Sequence, residues 1–355
     1  MRLAILMARR GLGRVWPNPC VGCVIVDSSG YVVARGWTQD GGRPHAETVA
    51  LQTAGENARG GTAFVSLEPC AHHGQTGPCA QALIGAGISR VVSAFEDPDP
   101  RVSGRGHAML RNAGIEVRTG VLELQARAQN AGFLSRVERG RPLVTLKIAS
   151  TLDGKTALES GESQWITGPQ AREHVHLMRA QHDAVMTGIG TVLADDPDLS
   201  CRLRGIDHSR AVRIVVDTQG RLPGNSKLAL SVARQPVWCL TSPAAATKGI
   251  AVSGVRTFEL PEGSGGVDLE QGLRLLAAQG LTRIFVEAGA RLAASLLRSN
   301  LVDQLLWYRA ATVMGPGISA VSNLGNLRLA ELPRFRLLET IRLGSDLLET
   351  YRTGA

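Results

Sequence analysis

Hydrophobic positions along the chain fall into short runs separated by polar or glycine-rich breaks, and the two kinds of spacing alternate. CVIVD (residues 23–27) reads as a strand and GYVVARGW (30–37) as its hairpin partner. HAETVALQTAGE (45–56) carries apolar residues at helical spacing and ends near Gly55. TAFVSLEPC (62–70) is a further strand, and CAQALIGAG (79–87) a short helix stopped by glycine. RVVSAF (90–95) predicts a strand, GHAMLRNAG (106–114) a helix and IEVRTG (115–120) another strand. After the charged break VERGR (137–141) and Pro142 the alternation starts again. LVTLKIA, AVMTG, VRIVVD, PVWCLT, RTFEL, RIFVEAG and QLLWYRAATVMG predict strands, with helices such as PQAREHVHLMRAQ and LEQGLRLLAAQG between them. Regular alternation of this kind predicts layered α/β sheets, and the break sets a boundary near 140–143. Two domains are expected, residues 1–141 and 142–355.

Composition agrees with two ordinary cores. At 355 residues the chain is too long for one core, and 44% of it is hydrophobic. Aromatics make up only 4%, so Leu, Val, Ile and Ala must fill the interior. The net charge of +8 comes almost wholly from arginine, because the lysines are only Lys147, Lys155, Lys227 and Lys248. No run of like charges suggests a nucleic-acid tail. Phosphorylated small molecules account for the arginines at least as well, so no nucleic-acid partner is expected. The opening MRLAILMARRGLG is too short and arginine-rich for a signal peptide. No apolar run reaches the ~18 residues of a membrane span, so no membrane partner is expected and a cytoplasmic location is. Six cysteines in a reducing compartment do not read as a disulfide frame. Cys20 and Cys23 open an apolar run and fall on different faces of a strand, which predicts small core residues rather than a zinc or redox pair.

Candidate chemistry concentrates in PHAET and LEPCAHHGQTGPC. His45 and Glu47 start a helix, Cys70 follows a strand, and Cys79 starts another helix after Pro78. One histidine and two thiolates suit a zinc ion with a fourth position for water. Glu47, two residues from His45, is placed to shuttle a proton without being a ligand. H-x-E followed by P-C is the signature of zinc-dependent base deaminases, but the second cysteine comes nine residues on rather than three. A structural zinc site or unrelated thiols is the plainer alternative. The longer interval makes room for His72 and His73 beside the metal, where they could contact substrate or replace a cysteine. Asn18 could read a base edge, or be an ordinary turn residue before Pro19. In the second half, VEAGARLAASLL puts a glycine after a strand and opens a helix, a place where backbone N–H groups can approach a cofactor phosphate. No G-x-G-x-x-G fingerprint supports it. ADDP offers Asp195 and Asp196, which alone would read as a turn or helix cap.

PNPCVGCVIVD, PHAETVAL, VSLEPCAHHGQTGPC and DPDPRVSGRG together closely resemble the bifunctional deaminase–reductase family of riboflavin biosynthesis. The second half resembles the same family independently through LKIASTLDGKTA, GESQWITGPQAR, TVLADDPDLSCR, RIVVDTQ and VEAGARLAASLL. The resemblance implies an N-terminal cytidine-deaminase-like three-layer α/β/α domain and a C-terminal dihydrofolate-reductase-like α/β domain. It implies hydrolytic deamination of 2,5-diamino-6-(5-phosphoribosylamino)pyrimidin-4-one, then NADPH-dependent reduction of the ribosyl group to ribityl. By motif match His45, Cys70 and Cys79 would hold one zinc per chain, and Glu47 would be the proton donor. The family's NADP contacts fall on Ala149, Trp165, Thr191, Asp195 and Thr218, and on Gly289, Ala290, Arg291, Leu292, Ala293, Ala294 and Ser295. Its reductase substrate contacts match Ser163, Arg179, Leu199, Arg202 and Glu287, with Asp195 as essential acid. A homo-oligomer is the family-level expectation.

The chain departs from the family at Gln75, where a lysine or arginine is usual, and at Cys20, where relatives often have Asn or a hydrophobic residue. It also starts a few residues short of the usual family start, which predicts a trimmed first helix or a start upstream. Two competing readings are a nucleoside or tRNA deaminase, which would have no use for the second domain, and a protein with only the reductase half active.

Overall fold

The computed structural model of the chain describes all residues except 72–76, 101, 207–210, 247–252, 264, 326–327 and 355. It forms two compact units, Met1–Gly140 and Arg141–Ala355. No helix among the described residues is long and apolar enough to cross a membrane.

The first unit runs α1 (Arg2–Ala8), β1 (Gly22–Val26), β2 (Val32–Trp37), α2 (Ala46–Ala54), β3 (Thr62–Val65), α3 (Cys79–Gly85), β4 (Arg90–Ser93), α4 (Arg105–Asn112), β5 (Glu116–Arg118), α5 (Glu123–Gln129) and α6 (Ala131–Arg139). Its sheet has the order β2-β1-β3-β4-β5, antiparallel up to β3 and parallel from β3 to β5. The β1–β2 hairpin closes because Asp27 accepts from the N–H groups of Ser29 and Tyr31, both at 2.9 Å. Two glycines set the layers. A Cβ on Gly22 would fall 1.9 Å from the Ala4 carbonyl oxygen, and one on Gly36 would fall 2.1 Å from that of Ala46. Gly22 pairs with Trp37 and Gly36 with Cys23, so the two glycines point to opposite faces. Helix α1 therefore lies against one face and α2 against the other, with α3 beside α2 and α5 beside α1. Leu, Val, Ile and Ala dominate the core between these layers, including Ile25, Ala50, Val65, Leu83 and Leu110.

Two expectations for this unit are corrected. The strand predicted over 62–70 ends at Val65, because Glu68 N–H turns to Phe95 O at 3.0 Å and Pro69 has no N–H for a ladder. Helices α5 and α6, which the spacing did not predict, carry the chain to the boundary. Gly140, at φ +67°, takes the left-handed position that stops α6. Cys20 and Cys23 are buried in different apolar clusters, as expected of core residues.

The second unit runs β6 (Leu143–Ser150), β7 (Lys155–Ala157), α7 (Pro169–Ala180), β8 (Ala184–Gly188), α8 (Ile189–Asp195), β9 (Val212–Val216), α9 (Lys227–Leu230), β10 (Val237–Thr241), α10 (Pro243–Ala246), β11 (Arg256–Glu259), β12 (Glu262–Gly263), β13 (Gly266–Val267), α11 (Leu269–Ala278), β14 (Arg283–Glu287), α12 (Ala290–Arg298), β15 (Gln304–Arg309), β16 (Ile318–Ser319), β17 (Phe335–Leu343) and β18 (Asp346–Thr353). Nine strands build one sheet in the order β11-β10-β9-β8-β14-β6-β15-β18-β17. The first seven are parallel, and β17–β18 add an antiparallel hairpin at the edge. The inner parallel strands β8, β9 and β10 are mainly apolar and buried on both faces, with Arg213 of β9 the charged exception. The edge hairpin was not predicted. Leu337 and Leu338 of β17 are both exposed, so no alternation of buried and exposed positions announces a strand there. The strand predicted over 304–315 stops at Arg309, beyond which the chain turns toward Leu152, whose N–H bonds Thr312 O at 2.8 Å.

Strand β6 starts the unit in the middle of the sheet, and the chain later returns to insert β14 between β8 and β6. In open α/β sheets a crossover of this kind leaves a crevice at the carboxyl ends of the strands. Lys147, Ala149, Gly188 and Glu287 all lie at or near those ends.

Candidate active sites

In the first unit three chain segments bring metal-ligand chemistry together. His45 precedes α2, Cys79 is the first residue of α3, and Cys70 lies on the connection out of β3. Their ligand atoms all lie within 4.8 Å of one another. His45 Nδ1 is 3.2 Å from Cys79 Sγ and 3.6 Å from Cys70 Sγ. Metal–ligand bonds of about 2.1 Å to nitrogen and 2.3 Å to sulfur give a tetrahedral N–S edge of about 3.6 Å. The donor set therefore fits zinc both in chemistry and in spacing. Among these protein groups alone, hydrogen bonding to Cys79 and to His45 outweighs burial and draws the Cys70 thiol down to about 4. The Cys70 hydrogen bond and burial push Cys79 upward. The two thiols thus differ, with Cys70 the more readily ionised.

Glu47, in the first turn of α2, is buried at 3% exposure. Burial, with the Cys70 charge adding to it, raises its carboxyl to about 7. A carboxyl poised near neutral pH can take up and give back a proton. Asn18 is half-buried, and its side-chain amide rests on Gly42, where a Cβ would fall 1.9 Å from Asn18 Nδ2. His72, His73 and Gln75 lie outside the described residues.

In the second unit charged groups gather at the carboxyl ends of β6 and β14. Lys147 and Glu287 are direct register partners across these strands. Arg179, from α7, sets its fork on Glu287, with Nε to Oε1 at 2.5 Å and Nη2 to Oε2 at 3.0 Å. Its third donor, Nη1, bonds Ser200 O at 2.9 Å. Burial pushes the Glu287 carboxyl up, but the Arg179 guanidinium overcomes this and holds it below the usual carboxylate range. Burial lowers Lys147, against the pull of Glu287 and Asp195. Asp195 ends α8, and burial raises its carboxyl against the opposing charge of Lys147. Lys147 and Asp195 thus act on one another electrostatically, Lys147 from β6 and Asp195 from the exposed end of α8.

The remaining positions singled out from the sequence fall into three groups. Gly289 is the N-cap of α12, and a Cβ there would lie 3.3 Å from Thr191 Oγ1, so these two positions adjoin. Within α12, Arg291 is exposed and Leu292 and Ser295 are half-buried, while Ala293 and Ala294 turn into the core. Those two alanines can offer a ligand only backbone. Thr218 follows β9 and accepts from Val267 N–H at 3.1 Å, which ties it to β13. Trp165 is 67% exposed under the Arg172 guanidinium, which lies 4.7 Å from its ring centre. It lines an open cleft of about 320 Å³ with Thr167, Ala311 and Asp346. Ser163 is half-buried and Arg202 exposed, whereas the Leu199 side chain is in the core on a residue with φ +59°. Three of the five Arg179 N–H donors are on Glu287 and Ser200. Lys147 was the residue the sequence undersold: a lysine in the apolar strand LVTLKIAS, in a chain with four lysines, was the available signal.

Residues 1–95 match the family described as the cytidine and deoxycytidylate deaminase zinc-binding region, and residues 142–348 match the RibD C-terminal domain. The riboflavin biosynthesis protein RibD of Escherichia coli is 42% identical over 98% of this chain and 96% of its own length. RibD of Haemophilus influenzae is 41% identical over 99% and 96%. Acinetobacter baumannii RibD, form 1, superposes with a TM-score of 0.90 at 39% identity, covering 100% of this chain and 98% of that one. A diaminohydroxyphosphoribosylaminopyrimidine deaminase/5-amino-6-(5-phosphoribosylamino)uracil reductase of Thermotoga maritima superposes with a TM-score of 0.88 at 36% identity, covering 100% and 97%. With both domains matched and identity near 40% over almost the whole length, the chain belongs to the RibD family, the bifunctional deaminase–reductases of riboflavin biosynthesis.

Proposed function

We propose that the chain first deaminates 2,5-diamino-6-(5-phosphoribosylamino)pyrimidin-4-one and then reduces the ribosyl side chain of the product to ribityl with NADPH. The convergence of His45, Cys70 and Cys79 beside the buried Glu47 is the observation that carries the first step. These three residues would hold one zinc per chain, which supplies Lewis-acid activation of a water when bound. Glu47 takes the water's proton and passes it to the departing amine, so that water enters and ammonia leaves. Asn18, held against Gly42, orients the pyrimidine edge. His72 and His73 belong to the same substrate pocket in this reading.

For the second step, NADPH supplies a hydride when bound. Gly289, Thr191 and the first turn of α12 receive it, with Ala149, Trp165 and Thr218 in support. Asp195 delivers the accompanying proton, and Lys147 sets its charge. Glu287, fixed by Arg179, orients the sugar, while Arg202, Ser163 and the Leu199 backbone complete the grip. Labour divides at residues 141/142. A cytoplasmic homo-oligomer belongs to the same reading.

The test is sequential. Purified chain given the phosphoribosyl pyrimidine should release ammonia without NADPH and oxidise NADPH once it is added. Absence of either signal removes that half of the reading.

A further inference from the structure

Glu68, two residues before Cys70, has a fully buried side chain. Oε1 accepts from Gly106 N–H at 2.9 Å and His107 N–H at 3.1 Å, and Oε2 from Gly104 N–H at 3.0 Å and Asp97 N–H at 3.1 Å. Three of these donors belong to the first turn of α4 and its cap, where the N–H groups are otherwise unpaired and favour an anion. His107 stands behind the carboxylate, with Nδ1 3.8 Å from Oε1 and Nε2 2.8 Å from Ser93 Oγ. Glu68, Glu96 and His107 have metal-like spacing. Four N–H groups already occupy the Glu68 oxygens, however, so this cluster is a clamp and not a second cation site.

The clamp leads directly to a zinc ligand. A Cβ on Gly106 would fall 1.9 Å from the Pro69 carbonyl oxygen, so the backbone of α4 touches the residue between Glu68 and Cys70. Pro69 has a fixed φ, which transmits the position of Glu68 to Cys70 with little slack. On its other side, Cys70 O accepts from Ala80 N–H at 3.1 Å and Cys70 Sγ accepts from Cys79 N–H at 3.3 Å. Cys70 is thus held between the starts of α3 and α4.

We infer that Glu68 is a positioning residue of the zinc centre: it locks the Glu68–Pro69–Cys70 segment to α4 and presets the Cys70 thiolate for metal. The inference rests on the zinc reading proposed above. Outer-shell partners of this kind typically change metal retention by about 10–100-fold.

The test compares the zinc-loaded full chain with Glu68→Gln and with Leu110→Val, a change in the buried core face of the same helix. Transfer of zinc to a chromogenic chelator at 25 °C is timed, and far-UV circular dichroism checks the fold of each chain. Glu68→Gln should speed zinc loss at least about tenfold and Leu110→Val less than about twofold, with the spectrum unchanged in both. Parent-like retention in Glu68→Gln, or equal acceleration in Leu110→Val, overturns the inference. If Glu68→Gln fails to fold, Glu68→Asp decides by the same thresholds, because it keeps the charge but shortens the side chain that reaches the start of α4. A parent chain that binds no zinc overturns the zinc reading itself, which is a separate result.

Discussion

His45 Nδ1 lies 3.2 Å from Cys79 Sγ although the two residues stand 34 positions apart. Both sit at helix starts, on α2 and α3, which pack side by side. Two of the three donors are therefore set by helix starts, and Cys70 joins them from the connection out of β3. Metal analysis of the purified chain should give about one zinc per chain, and Cys79→Ala should lose it. Two zincs or none would contradict the tetrahedral assignment.

Glu287 and Arg179 form a forked pair with side chains only 12% exposed. Removing one member leaves the other charged and buried. Arg179→Ala should destabilise the second unit by about 3–5 kcal/mol, read from denaturant unfolding. The Arg179→Ala, Glu287→Ala double variant should lose less than the sum of the two singles. Reduction should fall with either single variant, and ammonia release should not. Additive losses would show that the pair is not coupled.

At Gly289 the cost of a side chain is space rather than backbone strain, since φ is −70°. A Cβ already lies 3.3 Å from Thr191 Oγ1. Gly289→Val should crowd the start of α12 and raise the KM for NADPH at least about tenfold, roughly 1.4 kcal/mol of lost binding. Ammonia release should be unchanged. Unaltered NADPH kinetics would remove Gly289 from the cofactor site.

His182 supplies a pH test of stability. Its Nδ1–H donates to Met178 O at 2.7 Å and its Nε2 meets Thr145 Oγ1 at 3.1 Å. Burial, helped by Arg283, lowers it to about 3. The unfolded chain titrates this group near 6.5, so below that pH the unfolded state binds a proton that the folded state refuses. The stability contribution is complete above about pH 6.5 and falls by roughly 1.4 kcal/mol per unit as pH drops toward 3. His182→Asn should flatten that slope in denaturant titrations. An unchanged slope would show that His182 does not carry it.

The sequence was most informative where spacing forces geometry. Strands β8 and β10 follow the mainly apolar runs AVMTG and VWCLT, and H-x-E with two proline-led cysteines marks out the candidate first centre. It was least informative where the partner of a residue lies far along the chain. The role of Gly22 and Gly36 depends on helices whose carbonyls would meet a Cβ, and nothing local says so. The pairing of Arg179 with Glu287, 108 positions away, has no sequence signature. β17 was missed because its leucines are exposed, which removes the alternation that marks a strand.

The division of labour between the two centres is tested most directly by Glu47→Gln, assayed for both reactions on the same preparation. Glutamine keeps the size of the buried side chain and removes the group that carries the proton. The account predicts loss of ammonia release by at least about 100-fold, with reduction of supplied deaminated substrate at the parent rate. Loss of both activities, or ammonia release at the parent rate, would contradict it.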